Sequence, residues 1–250
     1  MLIAGFHPVR EALEQRPKAV EAVYLQKGKR DQRSSEIDGL ARSLGVSVRI
    51  VSREELDRDA GKAHNGVAAR VAAREYATGE ACLEGEKGSR LVLFLDEVTD
   101  PGNLGSILRT AAAVGASVVL PERHSAGLTE TVVKASAGAV ERVRIGRVTN
   151  AARFLTQAKE AGFWVFGAAM EGEPLYDVDL TGDVLLCLGA EGTGLRRLTG
   201  ETCDRLVAIP MKDGAGSLNV SVAAAVLLYE CVRQRTPRTP GKRPGGTKVA

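Results

Sequence analysis

A chain of 250 residues and 26.4 kDa has room for one large or two modest domains with a real core. Its 44% hydrophobic and 26% charged residues are ordinary for a soluble protein. Its apolar runs stop well short of the roughly 20 residues that span a bilayer, and the N-terminal MLIAGFHPVREAL has no basic segment leading into an apolar block, so no membrane span or secretory signal is expected and a cytoplasmic location is.

Cys82, Cys187, Cys203 and Cys231 show no CxxC spacing, and His7, His64 and His124 do not cluster, which argues for reduced thiols and no metal site. The net charge of +3 is unevenly spread: Lys and Arg against Asp and Glu number 14 and 11 over residues 1–76, 14 and 20 over 77–230, and 6 and 0 over 231–250. Basic ends around an acidic middle suggest attachment to a polyanion by the ends and a different task between them; a solvated charge pattern without a partner is the competing reading.

In chain order, GFHPVREALEQ predicts a helix with Pro8 in its first turn and Val9, Ala12 and Leu13 on one face. Residues 23–25 read as a short strand, followed by the charged loop QKGKRDQR and a helix around 37–44 that Gly45 ends. A strand over 46–51 leads to a short helix opened by the capping pair Ser52 and Glu55, and HNG at 64–66 turns the chain into a strand over 67–71. One loop carries Lys27, Lys29, Arg30 and Arg33, a candidate RNA contact because flexible cations reach phosphates and release counterions; basic surface loops without a ligand have the same composition. Residues 75–89, EYATGEACLEGEKGS, lack a sustained apolar period and read as a linker.

LVLFLDEV then reads as a buried strand of a parallel sheet. DPGNLGSILRTAAAVGAS predicts a turn at Asp100, Pro101 and Gly102 and a helix with Leu104, Ile107, Leu108 and Ala111 facing inward, closed by Gly115. Arg109 is the only charge in that helix, either paired structurally or used on a substrate. A strand over 118–120, a helix over 129–135, a strand over 143–145 and a helix over 149–161 follow, then strands over 163–167 and 184–188, the last running into GAEGTGL. A strand over 206–209 stops at Pro210, and a loop containing Gly214 and Gly216 leads through Ser217, Leu218 and Asn219 into a long apolar helix. This alternation predicts a doubly wound α/β domain, with ligands beyond the carboxyl ends of strands that carry DPGN, GAEGTG and KDGAGSLN. GAEGTGL fits neither GxGxxG nor GxxxxGK[ST], which argues against a dinucleotide. TPRTPGKRPGGTKVA, residues 236–250, reads as a disordered basic tail that adds salt-sensitive RNA affinity.

NLGSILRTAAAVGA, LGAEGTGL and IPMKDGAGSLNVSVAAAVLLYE together resemble the three ordered motifs of the SpoU (TrmH-type) RNA ribose 2′-O-methyltransferases of the SPOUT superfamily. GFHPVREAL, HNGVAARV, RVTNAAR and RRLTGETCDRLVAIPM are similar to the members of that family that methylate a guanosine in the peptidyl-transferase P-loop of bacterial 23S rRNA. The resemblance covers roughly residues 4–235, without linker and tail. It implies an S-adenosylmethionine-dependent homodimeric enzyme with an L30e-like RNA-binding α/β domain at residues 1–74, the linker at 75–89, and a SPOUT-type catalytic α/β domain at 90–235, with a parallel sheet and a C-terminal trefoil knot. A knot lies outside what strand-order rules predict. Gly189, Ile209 and Leu218 match positions whose backbone holds the adenosine, and Asn103, Arg109, Glu191, Ser217 and Asn219 match the polar active-site set.

Alternatives are a tRNA ribose 2′-O-methyltransferase of the same fold and a noncatalytic RNA-binding or ribosome-assembly factor, which has no need of all five polar residues. A guanidinium stays protonated in proteins, so Arg109 suits a phosphate clamp and a stabiliser of developing alkoxide charge; pairing with Glu191 to hold an interface is the other reading. Glu191 orients Arg109 or accepts a hydrogen bond from substrate. Asn103, Ser217 and Asn219 meet substrate, cap their helices, or do both.

Overall fold

The computed structural model describes residues 1–29, 31–212 and 216–237. Arg30, Gly214 and the tail from residue 238 on, all singled out from the sequence, lie outside the described residues. The chain begins with β1 (Leu2–Ala4), α1 (Phe6–Gln15), β2 (Val20–Gln26), α2 (Gln32–Ser43), β3 (Ser47–Val51), α3 (Arg53–Ala60) and β4 (Val67–Val71). The four strands form one sheet in the order β1-β4-β2-β3, in which β4 runs antiparallel to both neighbours and β2 parallel to β3. Val9, Ala12 and Leu13 of α1 are fully buried, as their spacing on one helical stripe requires. Ser52 caps α3, its Oγ accepting from the Glu55 N–H at 3.2 Å. The HNG turn is held by His64: Nδ1 accepts from the Gly66 N–H at 2.8 Å, which leaves Nε2 to donate to Asp57 at 2.9 Å, and Asn65 sits at φ 52°.

The larger part comprises β5 (Ala77–Thr78), α4 (Gly79–Cys82), β6 (Leu91–Leu95), α5 (Pro101–Val114), β7 (Ser117–Pro121), α6 (Glu130–Ala135), β8 (Ile145–Val148), α7 (Ala151–Glu160), β9 (Trp164–Pro174), β10 (Val184–Leu188), α8 (Arg197–Thr202), β11 (Arg205–Ala208) and α9 (Val220–Arg235). Its seven-stranded sheet has the order β11-β9-β10-β6-β7-β8-β5 with every pair parallel. Every residue of the central strands β6 and β10 is buried, which is why LVLFL and VLLCL are unbroken apolar runs. Alternate residues face opposite layers. Leu91, Leu93, Leu95, Leu186 and Leu188 join the core with α5 and α9, whereas Val92, Phe94, Leu185 and Cys187 pack with Phe154, Leu155 and Ala158 of α7.

Residues 75–89 connect the two parts but are built into the sheet: β5 pairs with β8, and Cys82 and Leu83 are buried. A two-residue strand and a one-turn helix are too short to show an apolar period. The strand expected at 143–145 lies two residues later in β8 because residues 139–142 form a 3-10 turn. That turn docks the N-terminal sheet: Glu141 pairs with Arg16 at 2.6 Å and Arg74 at 3.5 Å, and Arg142 pairs with Glu11. Apolar residues of both parts form one continuous core. Among the described residues no helix is long and apolar enough to cross a membrane.

Candidate active site

The sheet reverses its winding between β6 and β10. The loops after β6 and β10 therefore lie side by side beyond the carboxyl ends of the strands, where open α/β sheets bind ligands, and the loop after the edge strand β11 reaches them through Asn219. In the first loop Asp100, not Asn103, caps α5: its carboxylate accepts from the Asn103 N–H at 2.7 Å and Pro101 occupies the first helical position. This corrects the reading of Asn103 as a cap and frees its amide, whose Nδ2 donates to Glu191 Oε1 at 3.3 Å.

In the third loop Asn219 caps α9, its Oδ1 accepting from the Ser221 N–H at 2.9 Å and the Ser221 hydroxyl at 2.6 Å. Those two donors fix the amide orientation, so Nδ2 turns the other way and donates to Asn103 Oδ1 at 3.0 Å and to Glu191 Oε1 at 2.5 Å. The Val220 N–H, in the first turn of α9, adds a further donor to Oε1 at 3.4 Å. A carboxylate at a helix N-terminus is favoured by the unpaired N–H groups there. Two of the loops thus hold one oxygen of Glu191, which stands on the third, while Oε2 has no hydrogen-bond partner among the described residues.

Arg109 and Ser217 are not part of that network. Ser217 is exposed, and the side-chain cap of α9 comes from Asn219 rather than from it. Arg109 is exposed on α5, about 9 Å along the helix axis from Asn103. Among the described residues it makes no ion pair, so the pairing with Glu191 is not formed within one chain.

Beside the cluster lies a cavity of about 530 Å³ whose lining includes Gly189, Glu191, Ile209, Met211, Ser217 and Leu218. It falls within the size of small-ligand sites, about 300–1,000 Å³. The glycines of GAEGTGL shape its wall. A Cβ at Gly189 would stand 2.0 Å from the Gly194 carbonyl, Gly192 and Gly194 take φ of 82° and 68°, and the Gly194 N–H closes on Ala190 O at 3.0 Å. Apolar side chains and close backbone suit a flat heteroaromatic group, with Glu191 and Ser217 supplying polar atoms at the same cavity, so the residues present fit an adenosine-bearing cofactor. No group of three or more His, Cys, Asp or Glu able to hold a metal occurs among the described residues.

Two residues of this region were not singled out from the sequence. Asp96, at the end of β6, is 1% exposed, and its carboxylate accepts from Arg196 Nε at 2.7 Å, Nη2 at 2.5 Å and backbone N at 3.2 Å. The bond raises the Arg196 guanidinium pKa further and straps the end of the glycine loop to the central strand. An acid closing the apolar run LVLFL was the available signal.

Residues 90–229 match the SpoU rRNA Methylase family, and residues 2–77 match the family described as RNA 2′-O ribose methyltransferase substrate binding. A 23S rRNA (guanosine-2′-O-)-methyltransferase RlmB from Xanthomonas campestris is 48% identical, covering 93% of this chain and 96% of the relative. One of the same description from Ralstonia nicotianae is 44% identical over 94% and 96%. Among solved structures, the SpoU methyltransferase AviRb from Streptomyces viridochromogenes in complex with AdoMet is 28% identical, with a TM-score of 0.79 over 94% of this chain and 90% of that one.

Proposed function

This chain belongs to the SpoU rRNA methylase family, and from that premise we propose that it methylates the ribose 2′-hydroxyl of a guanosine in the peptidyl-transferase P-loop of 23S rRNA. Its chemistry is the S-adenosylmethionine-dependent 2′-O-methylation of RNA. The observation that carries the reading is the convergence of Asn103, Asn219 and the start of α9 on Glu191 at the edge of the cavity.

S-adenosylmethionine supplies a methyl group already activated on a sulfonium. What is left to the protein is to align the hydroxyl, assist loss of its proton and exclude water. Glu191, fixed through Oε1, offers Oε2 as acceptor for the ribose hydroxyl. Backbone at Gly189, Ile209 and Leu218, which line the cavity, would hold the adenosine, and Ser217 would add a polar contact at the same wall. Arg109 clamps a phosphate beside the target ribose and stabilises developing alkoxide charge; as a permanent cation it is unsuited to take the proton.

The exposed position of Arg109 is accounted for by a homodimer, which is part of the proposal. Val222 and Tyr229 of α9 are 48% and 53% exposed, with Ala225 and Val226 between them on one stripe, an apolar outer face of the kind that a second copy covers. Pairing through this face brings Arg109 of one copy to the Glu191 cluster of the other. The threading of the last segments into a knot is carried by the same reading.

Mixing tests the arrangement. Arg109→Ala and Glu191→Ala variants, each inactive alone in transfer of labelled methyl to rRNA, should recover about a quarter of wild-type activity when co-refolded in equal amounts. No recovery from a mixture shown to contain heterodimer would contradict a site shared between copies.

A further inference from the structure

We propose that a second cavity, of about 540 Å³ beyond the carboxyl ends of β7 and β8, is the subsite for a nucleotide of the substrate RNA flanking the methylated one. The proposal rests on the reading of the chain as an RNA 2′-O-methyltransferase. Its walls carry Glu122, Arg123 and His124 after β7, Asn150 at the start of α7, and Arg196 and Leu198 at α8.

Position is the first support. Arg196 lines both this cavity and the one beside Glu191, so the two are contiguous. An RNA strand with one ribose at Glu191 has this cleft as a neighbouring place for the next nucleotide. The domain also exposes strand ends here, the side on which α/β sheets take ligands.

Charge is the second. Residues 77–230 carry 14 basic against 20 acidic side chains, a net balance that does not by itself attract RNA. Two arginines nevertheless line this cleft. Arg196 is answered by Asp96 and Glu97, at 2.5 and 3.5 Å, whereas Arg123 has no acidic partner within 4.0 Å among the described residues. Arg123 is thus available to a phosphate.

Backbone geometry is the third. His124 sits at φ 58°, in the left-handed region that side-chain-bearing residues seldom adopt. The surrounding loop enforces it: the Glu122 N–H donates to Val148 O at 2.9 Å, the Ser125 hydroxyl to Pro121 O at 2.6 Å, and the Ala126 N–H to Val98 O at 2.9 Å. Glycine would relieve the conformation, and a loop that holds a histidine there instead retains strain while keeping an imidazole in the cavity wall. We assign Arg123 to the phosphate and the His124 ring to stacking on the base, the mode by which proteins hold unpaired RNA nucleotides.

The test uses the full chain and a 23S rRNA fragment, with Arg123→Ala and His124→Gly variants measured beside wild type. Expected for each is a rise of about tenfold in KM for RNA, with kcat and S-adenosylmethionine affinity within twofold of wild type. Arg123→Ala should also flatten the slope of log affinity against log salt by about 0.7, the value for one single-strand phosphate contact. His124→Gly should raise or preserve the melting temperature while weakening RNA, a combination that a merely structural histidine would not give. Wild-type KM and salt slope in both variants, beside an active wild type, would overturn the subsite and leave the activity standing. Weakened RNA binding beside a wild type that transfers no methyl would uphold the RNA contact and overturn the activity.

Discussion

At the scale of single residues the site is organised by hydrogen-bond direction. Asn219 can be a cap and an active-site residue at once because its two amide ends are separated in function: oxygen toward Ser221, nitrogen toward Glu191. Glu191→Gln keeps the size and one acceptor oxygen but removes the carboxylate charge that favours loss of the ribose hydroxyl proton. It should lower kcat by about 10²–10³, a loss typical of removing one electrostatic contact to a transition state, with cofactor affinity within a few-fold. A parallel loss of cofactor binding by calorimetry would mean that Glu191 only shapes the loop. The sequence reading placed Asp100 in a turn and offered Asn103 as a cap, whereas Pro101 at the first helical position makes the preceding Asp100 the cap. Asp96 and Arg196 could not be paired from the sequence, because a bond between residues 100 positions apart leaves no local trace.

At the scale of elements, apolar periodicity located the long helices and the buried strands well. Leu104, Ile107, Leu108 and Ala111 face the core, and β10 spans the residues its apolar run marks. The short edge pieces were illegible for the reason that one turn or two residues carry no period, as in β5 and α4. Packing adds constraints that periodicity does not show. A Cβ on Gly105 of α5 would stand 2.4 Å from Ala135 Cβ and 3.0 Å from the Ser136 backbone nitrogen, so α5 and α6 touch through this glycine. Gly105→Ala gains about 1 kcal/mol of helix propensity. It loses more by forcing the helices apart, overpacking costing about 1–3 kcal/mol, so the net change is a destabilisation of up to about 2 kcal/mol. Thermal unfolding should show a melting temperature lower by several degrees; an unchanged or higher value would mean the helices separate freely.

At the scale of the whole molecule, the strand order and the docking of the N-terminal sheet through Glu141 lie beyond local pattern, because they depend on which distant elements meet. The basic ends were legible, yet the charge that matters beside the site, Arg123, lies in the acidic middle. A second ion pair fastens the sheet from below. Asp183, 10% exposed at its side chain, accepts from Arg90 at 2.8 Å and from the backbone N–H groups of Gly88 and Arg90. The Arg90 hydrogen bond, followed by those backbone donors, draws its carboxyl down to about 2 against burial, which acts in the opposite sense.

Because the folded value lies below that of the unfolded chain, about 3.9, protons bind first to the unfolded state as pH falls. The contribution of Asp183, roughly 2 kcal/mol, is therefore complete above about pH 5 and disappears between about pH 4 and pH 2. The stability gap between wild type and Asp183→Asn should shrink across that window in denaturant titrations. A gap independent of pH would show that the charge of Asp183 is not what fastens β10 to the residues before β6.

The most direct measurement is nucleotide-resolution mapping of ribose methylation in 23S rRNA from a strain lacking this chain, with the purified protein and labelled S-adenosylmethionine added back, beside Glu191→Ala. The account predicts label on the 2′-oxygen of one guanosine in the peptidyl-transferase P-loop, absent with the variant. Label confined to tRNA would contradict the substrate, and no label in any RNA despite cofactor binding would contradict the assignment of catalysis to this site.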